Sequence, residues 1–100
     1  MTSTIDAVFQ TILDRQQNPK PGSYTNSLLD AGIDEITKKV GEEAIEVIIA
    51  AQHQGHERLI SEMADLTYHC LVLLAQQGLT PQHIAEELAK RHQVKPTASS

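Results

Sequence analysis

Acidic residues at helical spacing are the feature of this sequence that could do chemistry. Glu43 and Glu46 stand three residues apart, and Glu62 and Asp65 repeat that spacing further along the chain. On an α-helix, residues three or four apart share a face. Each pair should therefore present two carboxylates together. Four such groups on two facing helices would repel one another unless a cation lay between them.

A hard divalent cation is the partner that a set of carboxylate oxygens predicts. Mg²⁺ is the usual choice beside phosphates, where it bridges phosphate oxygens and lowers the pKa of a water molecule. Lys39 and Arg58 each share a helix face with one acidic pair, and we predict that both contact substrate phosphates. His69 lies on the second of these faces. It is predicted either to bind substrate or to make a structural hydrogen bond.

The catalytic carboxylates are predicted at the first acidic pair. Glu42 immediately precedes that pair and is not needed as a ligand, so it is free to position or deprotonate a water. Glu46 is assigned both to catalysis and to the metal, and the identity of the general base stays open. A single Glu-x-x-Glu is common on solvated helix faces. Two acidic pairs, both beside apolar seams, favour a site over that interpretation.

The elements that must position these groups are all predicted to be helices. Proline and glycine clusters interrupt the apolar periodicity and mark where helices end. The pattern predicts a first helix from Ser3 or Thr4 to Gln16 and further helices at about 23–31, 33–53, 57–77 and 81–92. The two long helices should run antiparallel around Gly55. The main apolar stripe of the second long helix is expected to include Met63, with Leu59, Leu66 and Cys70.

Apolar residues on both sides of the first long helix predict a second copy of the chain. Ile36 and Val40 lie on one side, whereas Ile45 and Ile49 lie almost opposite, and both sides should be buried. We therefore predict an all-α helical bundle with two long antiparallel helices, which also uses the first of them for oligomerisation. Gly41, inside this helix, suggests a close approach to its backbone or a tolerated glycine. Residues 1–92 form the predicted domain, and 93–100 a flexible tail.

Composition excludes several classes of protein. Thirteen acidic residues against eight basic ones give a net charge of −5, which argues against nucleic acid as a partner. The apolar runs are too short to span a membrane, and the beginning of the sequence lacks the pattern of a signal peptide. The single cysteine, Cys70, lies among leucines and is predicted to be a buried free thiol. We expect a cytoplasmic location.

At the acidic pairs the sequence resembles the phosphoribosyl-ATP pyrophosphatase family. The resemblance rests on the run from Lys38 to Val47, Ser23-Tyr24-Thr25 before it, and Asp65-Leu66-Thr67-Tyr68-His69 after it. It covers about residues 5 to 92. Glu-x-x-Glu followed by Glu-x-x-Asp is also the signature of the wider all-α nucleoside triphosphate pyrophosphohydrolase superfamily, which includes MazG.

The resemblance implies a reaction and a ligand set. The reaction is hydrolysis of 1-(5-phospho-β-D-ribosyl)-ATP, between its α and β phosphates, to the corresponding AMP and pyrophosphate. This is the second step of histidine biosynthesis. The resemblance also implies a homodimer in which paired protomers complete a four-helix core, and phosphoribosyl-AMP cyclohydrolase as a separate chain for the next step. It further implies Mg²⁺ held by Glu43, Glu46, Glu62 and Asp65.

Three alternatives are weighed against this interpretation. The first is a housecleaning pyrophosphatase of the same superfamily that acts on NTPs or dNTPs. The second is a non-catalytic helical dimerisation module, in which replacing an acidic residue would be neutral or stabilising. The third is a ferritin-type di-iron bundle, which expects Glu-x-x-His pairs; neither long helix contains one.

Overall fold

The computed structural model describes residues 3–92, and this part of the chain is helical with no strand. The helices are α1 (Thr4–Gln17), α2 (Tyr24–Ala31), α3 (Ile33–His53), α4 (Gly55–Gln76) and α5 (Pro81–His92). The all-α prediction is confirmed. The helix predicted at 33–53 has those bounds, whereas α4 begins two residues earlier than predicted. The predicted tail at 93–100 lies outside the described residues.

Side-chain caps mark the starts of α1 and α2, and a glycine marks the end of α2. Ser3 Oγ accepts a hydrogen bond from the amide of Asp6 at the start of α1, and Ser23 Oγ accepts one from the amide of Asn26 at the start of α2. Such caps satisfy amides that have no partner inside the helix. Gly32 ends α2 with φ +92°, a conformation that residues with a Cβ disfavour. The chain therefore turns there and enters α3.

The core is aliphatic and draws on the first four helices. Ile12 of α1, Ile36 of α3 and Val72 of α4 are each at most 1% exposed. Burying a side chain of this size stabilises the fold by about 1.5–3 kcal/mol. α5 contributes no buried residue. The remaining buried apolar residues are Phe9, Leu28, Ala50, Leu71 and Ala75.

The antiparallel hairpin of α3 and α4 is confirmed, because Gln54 alone joins them and they pack along each other. The prediction for the buried face of α4 is wrong at Met63, which is 51% exposed, whereas Glu62 is only 5% exposed. The face of α4 that turns inward carries Glu62, His69 and Val72. Helical spacing brings these three residues onto one side, and tertiary packing selects that side over the more apolar one.

The protomer leaves a set of large apolar side chains exposed near the connection between α3 and α4. These residues, which we call the apolar patch, are Ile45, Ile48, Ile49, Ile60 and Met63. A Cβ built on Gly41 would meet no atom within 4 Å, so the close approach predicted there is not found within the protomer. Among residues 3–92, no helix has the length and apolar character needed to cross a membrane.

Candidate active site

Three of the predicted carboxylates meet between the two long helices. One carboxylate oxygen from each of Glu43, Glu62 and Asp65 can be chosen so that all three lie within 4.8 Å of one another. Glu43 comes from α3 and the other two come from α4. The one-residue connection brings the facing helical turns to the same height, so residues 19 and 22 positions apart in sequence become neighbours.

An open cavity of about 420 Å³ lies over this cluster. Its lining includes Glu42 and Glu46 of α3 as well as the three clustered carboxylates, and Ile45 of the apolar patch borders it. Glu46 faces the cavity but is not part of the three-oxygen cluster. All the acidic residues predicted from the sequence therefore lie around one cavity. Their division into ligands and catalytic groups stays a prediction.

Glu62 is the buried member of the cluster. Burial raises the pKa of its carboxyl above the ordinary value, and the nearby charges of Glu46, Glu43 and Asp65 raise it further. Arg58 acts in the opposite direction, with Nη2 3.3 Å from Oε1 of Glu62. The net direction is upward. One partner cation is therefore insufficient to offset burial and three neighbouring carboxylates.

The two basic residues predicted to contact phosphates both pair with acids of the cavity. Arg58 spans one helical turn to Glu62, and its side chain remains 54% exposed. Lys39 Nζ lies 3.8 Å from Oε1 of Glu42, one turn further along α3. The Lys39–Glu42 pair is largely open to solvent, and such pairs contribute little to stability. Each cation is therefore held beside an acid that lines the cavity, and each keeps part of its side chain exposed.

His69 is held within the protein at both ring nitrogens. Its Nδ1 lies 2.8 Å from the carbonyl oxygen of Asp65, which can only accept, so Nδ1 carries the proton. Its Nε2 then accepts a hydrogen bond from the hydroxyl of Tyr24 over 2.9 Å. The side chain is only 6% exposed. Direct substrate binding by His69 would require one of these hydrogen bonds to break, so the geometry favours the structural role.

Tyr24 contributes to the site region, although from the sequence it was quoted only as part of a motif and was assigned no role. Tyr24 packs against Tyr68, with the ring centroids 6.3 Å apart, and places its ring edge-on to His69. Burial is the largest cause that raises the pKa of the Tyr24 phenol, while Lys39 lowers it. The Tyr68 hydroxyl in turn pairs with that of Thr25. The motifs Ser23-Tyr24-Thr25 and Asp65-Leu66-Thr67-Tyr68-His69 contain these residues, but their spacing in the sequence does not show that they meet.

The donor set fits a hard cation. The clustered atoms are all carboxylate oxygens, which suit Mg²⁺ or Ca²⁺, whereas zinc and copper sites favour imidazole or thiolate ligands. A divalent cation would also offset the repulsion that raises the pKa of Glu62. Fold and site together define an all-α protein with a candidate carboxylate metal site on a helical hairpin.

Comparison with known proteins identifies the family. A sequence model described as phosphoribosyl-ATP pyrophosphohydrolase matches residues 5–92. The chain is 53% identical, over 88 residues, to the phosphoribosyl-ATP pyrophosphatase of Pelotomaculum thermopropionicum, covering 88% of this chain and 90% of that protein. It is 50% identical, over 90 residues, to the enzyme of that name from Sulfurisphaera tokodaii, covering 90% and 96% respectively. The chain belongs to the phosphoribosyl-ATP pyrophosphohydrolase family.

Proposed function

We propose that this protein hydrolyses phosphoribosyl-ATP to phosphoribosyl-AMP and pyrophosphate, with Mg²⁺ as its cofactor, in histidine biosynthesis. The observation that carries the proposal is the meeting of Glu43, Glu62 and Asp65 at one cavity, in a chain of this family. The relatives bear the name of that activity. The single cysteine supports a reducing compartment, and we propose the cytoplasm.

The clustered carboxylates are the residues that would hold the cation. Glu43, Glu62 and Asp65 already lie close together, and Glu46 on the same cavity would complete the set. Mg²⁺ would supply a Lewis acid that neutralises phosphate oxygens and lowers the pKa of a water. Arg58 favours the ionised form of Glu62 through its ion pair. It therefore helps to keep this carboxylate available as a ligand.

Glu42 and Lys39 are the pair that we assign to the reacting groups. Glu42 lines the cavity outside the three-carboxylate cluster, so it can orient the attacking water and accept its proton. As water adds to the α–β phosphoanhydride, the bridging P–O bond breaks and negative charge moves onto the departing pyrophosphate. The Lys39 ammonium beside Glu42 is placed to stabilise that charge.

The test is pyrophosphate release from phosphoribosyl-ATP with Mg²⁺, measured beside ATP and a panel of dNTPs. We expect release from the phosphoribosyl adduct, reversible loss of activity with EDTA, and loss of activity in Asp65→Asn. Glu57→Gln, an exposed acid on α4 outside the cavity, is the matched control and should remain active. Release from dNTPs without preference for the adduct would support the housecleaning enzyme. Release from none would support the silent dimerisation module.

We also propose that two copies of the chain associate through the apolar patch. Its members on α3 and α4 lie at similar distances from Gln54, so an antiparallel hairpin brings them to one end. Side chains such as Ile45 and Ile60 are 58% and 69% exposed in the protomer, and exposed large apolar side chains that lie together are typical of protein–protein interfaces. Burying it against a second hairpin would complete a four-helix core.

Ile48→Glu tests this association. Ile48 is 57% exposed in the protomer, so the new charge should be tolerated by an isolated chain but not by a buried interface. Sedimentation equilibrium should show a dimer for the wild type and a monomer for the variant. Leu88→Glu, at a 51% exposed position on α5, is the control and should remain dimeric. A monomeric wild type, or a dimeric Ile48→Glu, would contradict the proposal.

A further inference from the structure

A second open cavity, of about 670 Å³, lies beside the connection from α1 to α2. Lys20, Tyr24, Ser27 and Asp30 are among the residues that line it. None of the carboxylates predicted to hold the cation belongs to its lining. Its polar groups include a cation, a carboxylate and hydroxyls, which is the set that a phosphorylated sugar would use. The function proposed above assigns nothing to this cavity.

The wall of this cavity is held in place by a buried side chain. Asn26 is 8% exposed, and its Oδ1 accepts a hydrogen bond from the amide of Lys20 over 2.9 Å. Its Nδ2 donates to the carbonyl oxygen of Arg15 over 2.8 Å, which ties the connection to the end of α1. A buried amide with both ends satisfied fixes the backbone around it. The cavity is therefore a built feature of the fold.

Tyr24 connects this cavity to the carboxylate cavity. Tyr24 lines the first cavity, and its hydroxyl donates to Nε2 of His69. His69 in turn donates to the carbonyl oxygen of Asp65, which lines the second. Two hydrogen bonds, both made by His69, therefore link the lining of one cavity to the lining of the other.

The proposed substrate has the charge distribution that such a pair of cavities requires. Its triphosphate, at one end, needs the cation site. A ribose with a 5′-phosphate, at the other end, distinguishes it from ATP. The chain carries a net charge of −5, so binding this second phosphate requires a local cation. Among the four ion pairs within residues 3–92, none involves Lys20, whereas Lys39 and Arg58 both pair with acids.

We propose that the α1–α2 cavity binds the phosphoribosyl end of the substrate and thereby selects it over ATP. This deepens the function proposed above and rests on it. Lys20 pairs with the 5′-phosphate, and Asp30 accepts hydrogen bonds from the ribose hydroxyls. Tyr24 forms the wall between the two ends of the bound molecule. These residues lie away from the phosphoanhydride, so they bind ground state and transition state equally.

Kinetics of Lys20→Met test the assignment. We expect KM for phosphoribosyl-ATP to rise about tenfold to a hundredfold, with kcat nearly unchanged, because one charge-assisted contact is lost equally from both states. Lys38→Met is the matched control, since Lys38 is an exposed lysine of α3 outside both cavities. Its KM should match the wild type. Asp30→Asn should also raise KM, and all variants should keep the wild-type melting temperature.

Two outcomes overturn the assignment in distinguishable ways. If the wild type hydrolyses phosphoribosyl-ATP but Lys20→Met behaves like Lys38→Met, the subsite is wrong and the proposed function stands. If the wild type releases pyrophosphate only from dNTPs, the proposed function fails and the subsite fails with it. Ribose 5-phosphate gives a readout without turnover. It should shift the amide resonances of Tyr24 and Ser27 in the wild type and not in Lys20→Met.

Discussion

Tyr24→Phe removes one oxygen atom and tests the hydrogen bond that joins α2 to α4. Without the phenol, Nε2 of His69 loses its partner in a side chain that is only 6% exposed. An unpaired buried polar group costs about 1–3 kcal/mol. Tyr24 itself is 49% exposed, so water reaches this edge of the site and the lower part of the range, about 1–2 kcal/mol, is expected. For a domain of this size, such a loss lowers the melting temperature by about 4–16 °C.

The assay is thermal unfolding followed by circular dichroism at one fixed protein concentration, with and without Mg²⁺. Tyr68→Phe is the matched control, because it removes the same atom from the neighbouring ring. The Tyr68 hydroxyl pairs with the hydroxyl of Thr25, and both residues are half-buried. Hydroxyls can turn toward water, so the control should lose less stability. Wild-type stability in Tyr24→Phe, or a larger loss in Tyr68→Phe, would refute the reasoning.

Two further predictions concern the carboxylates. Glu46→Gln removes a charge with little change in shape. Pyrophosphate release should be lost, while sedimentation should still show the dimer. If the variant were active at ordinary Mg²⁺ concentrations, Glu46 would not be a metal ligand. Burial and neighbouring acids raise the pKa of Glu62 in the folded chain, so its contribution to stability is present below its unfolded pKa and is lost as the pH rises through its folded pKa. In EDTA, the melting temperature of the wild type should therefore fall further than that of Glu62→Gln as the pH rises from the unfolded pKa of Glu62 through its folded pKa. Equal falls in the two proteins would contradict this.

Helix positions could be predicted because the signals are local. The Pro19–Gly22 region, Gly32 and Gly78 interrupt the apolar periodicity, and the structure places helix boundaries at each of them. The acidic cluster could also be predicted, because i, i+3 spacing on two consecutive helices needs only a short connection to bring the pairs together. A one-residue connection at Gln54 meets that requirement.

The rotation of α4 could not be predicted, because the helix has more than one face that could be buried. Periodicity favours the side with Met63, yet the protomer buries Glu62 and leaves Met63 half exposed. A hydrophobic pattern identifies surfaces that need cover but not the partner that covers them. The Tyr24–His69 hydrogen bond could not be predicted from the sequence either. It joins residues 45 positions apart, and no local spacing encodes it.

The clustering of Glu43, Glu62 and Asp65 affects the amount of protein in the cell. The folded chain gathers three carboxylates that the unfolded chain keeps apart. A cation that binds only the folded chain therefore stabilises it. Once the cation's concentration exceeds its dissociation constant, the stabilisation grows with the logarithm of the ratio of the two. Unfolded chains are the ones that proteases remove. Under the proposed function, a shortage of divalent cations would both slow the reaction and shorten the lifetime of the enzyme.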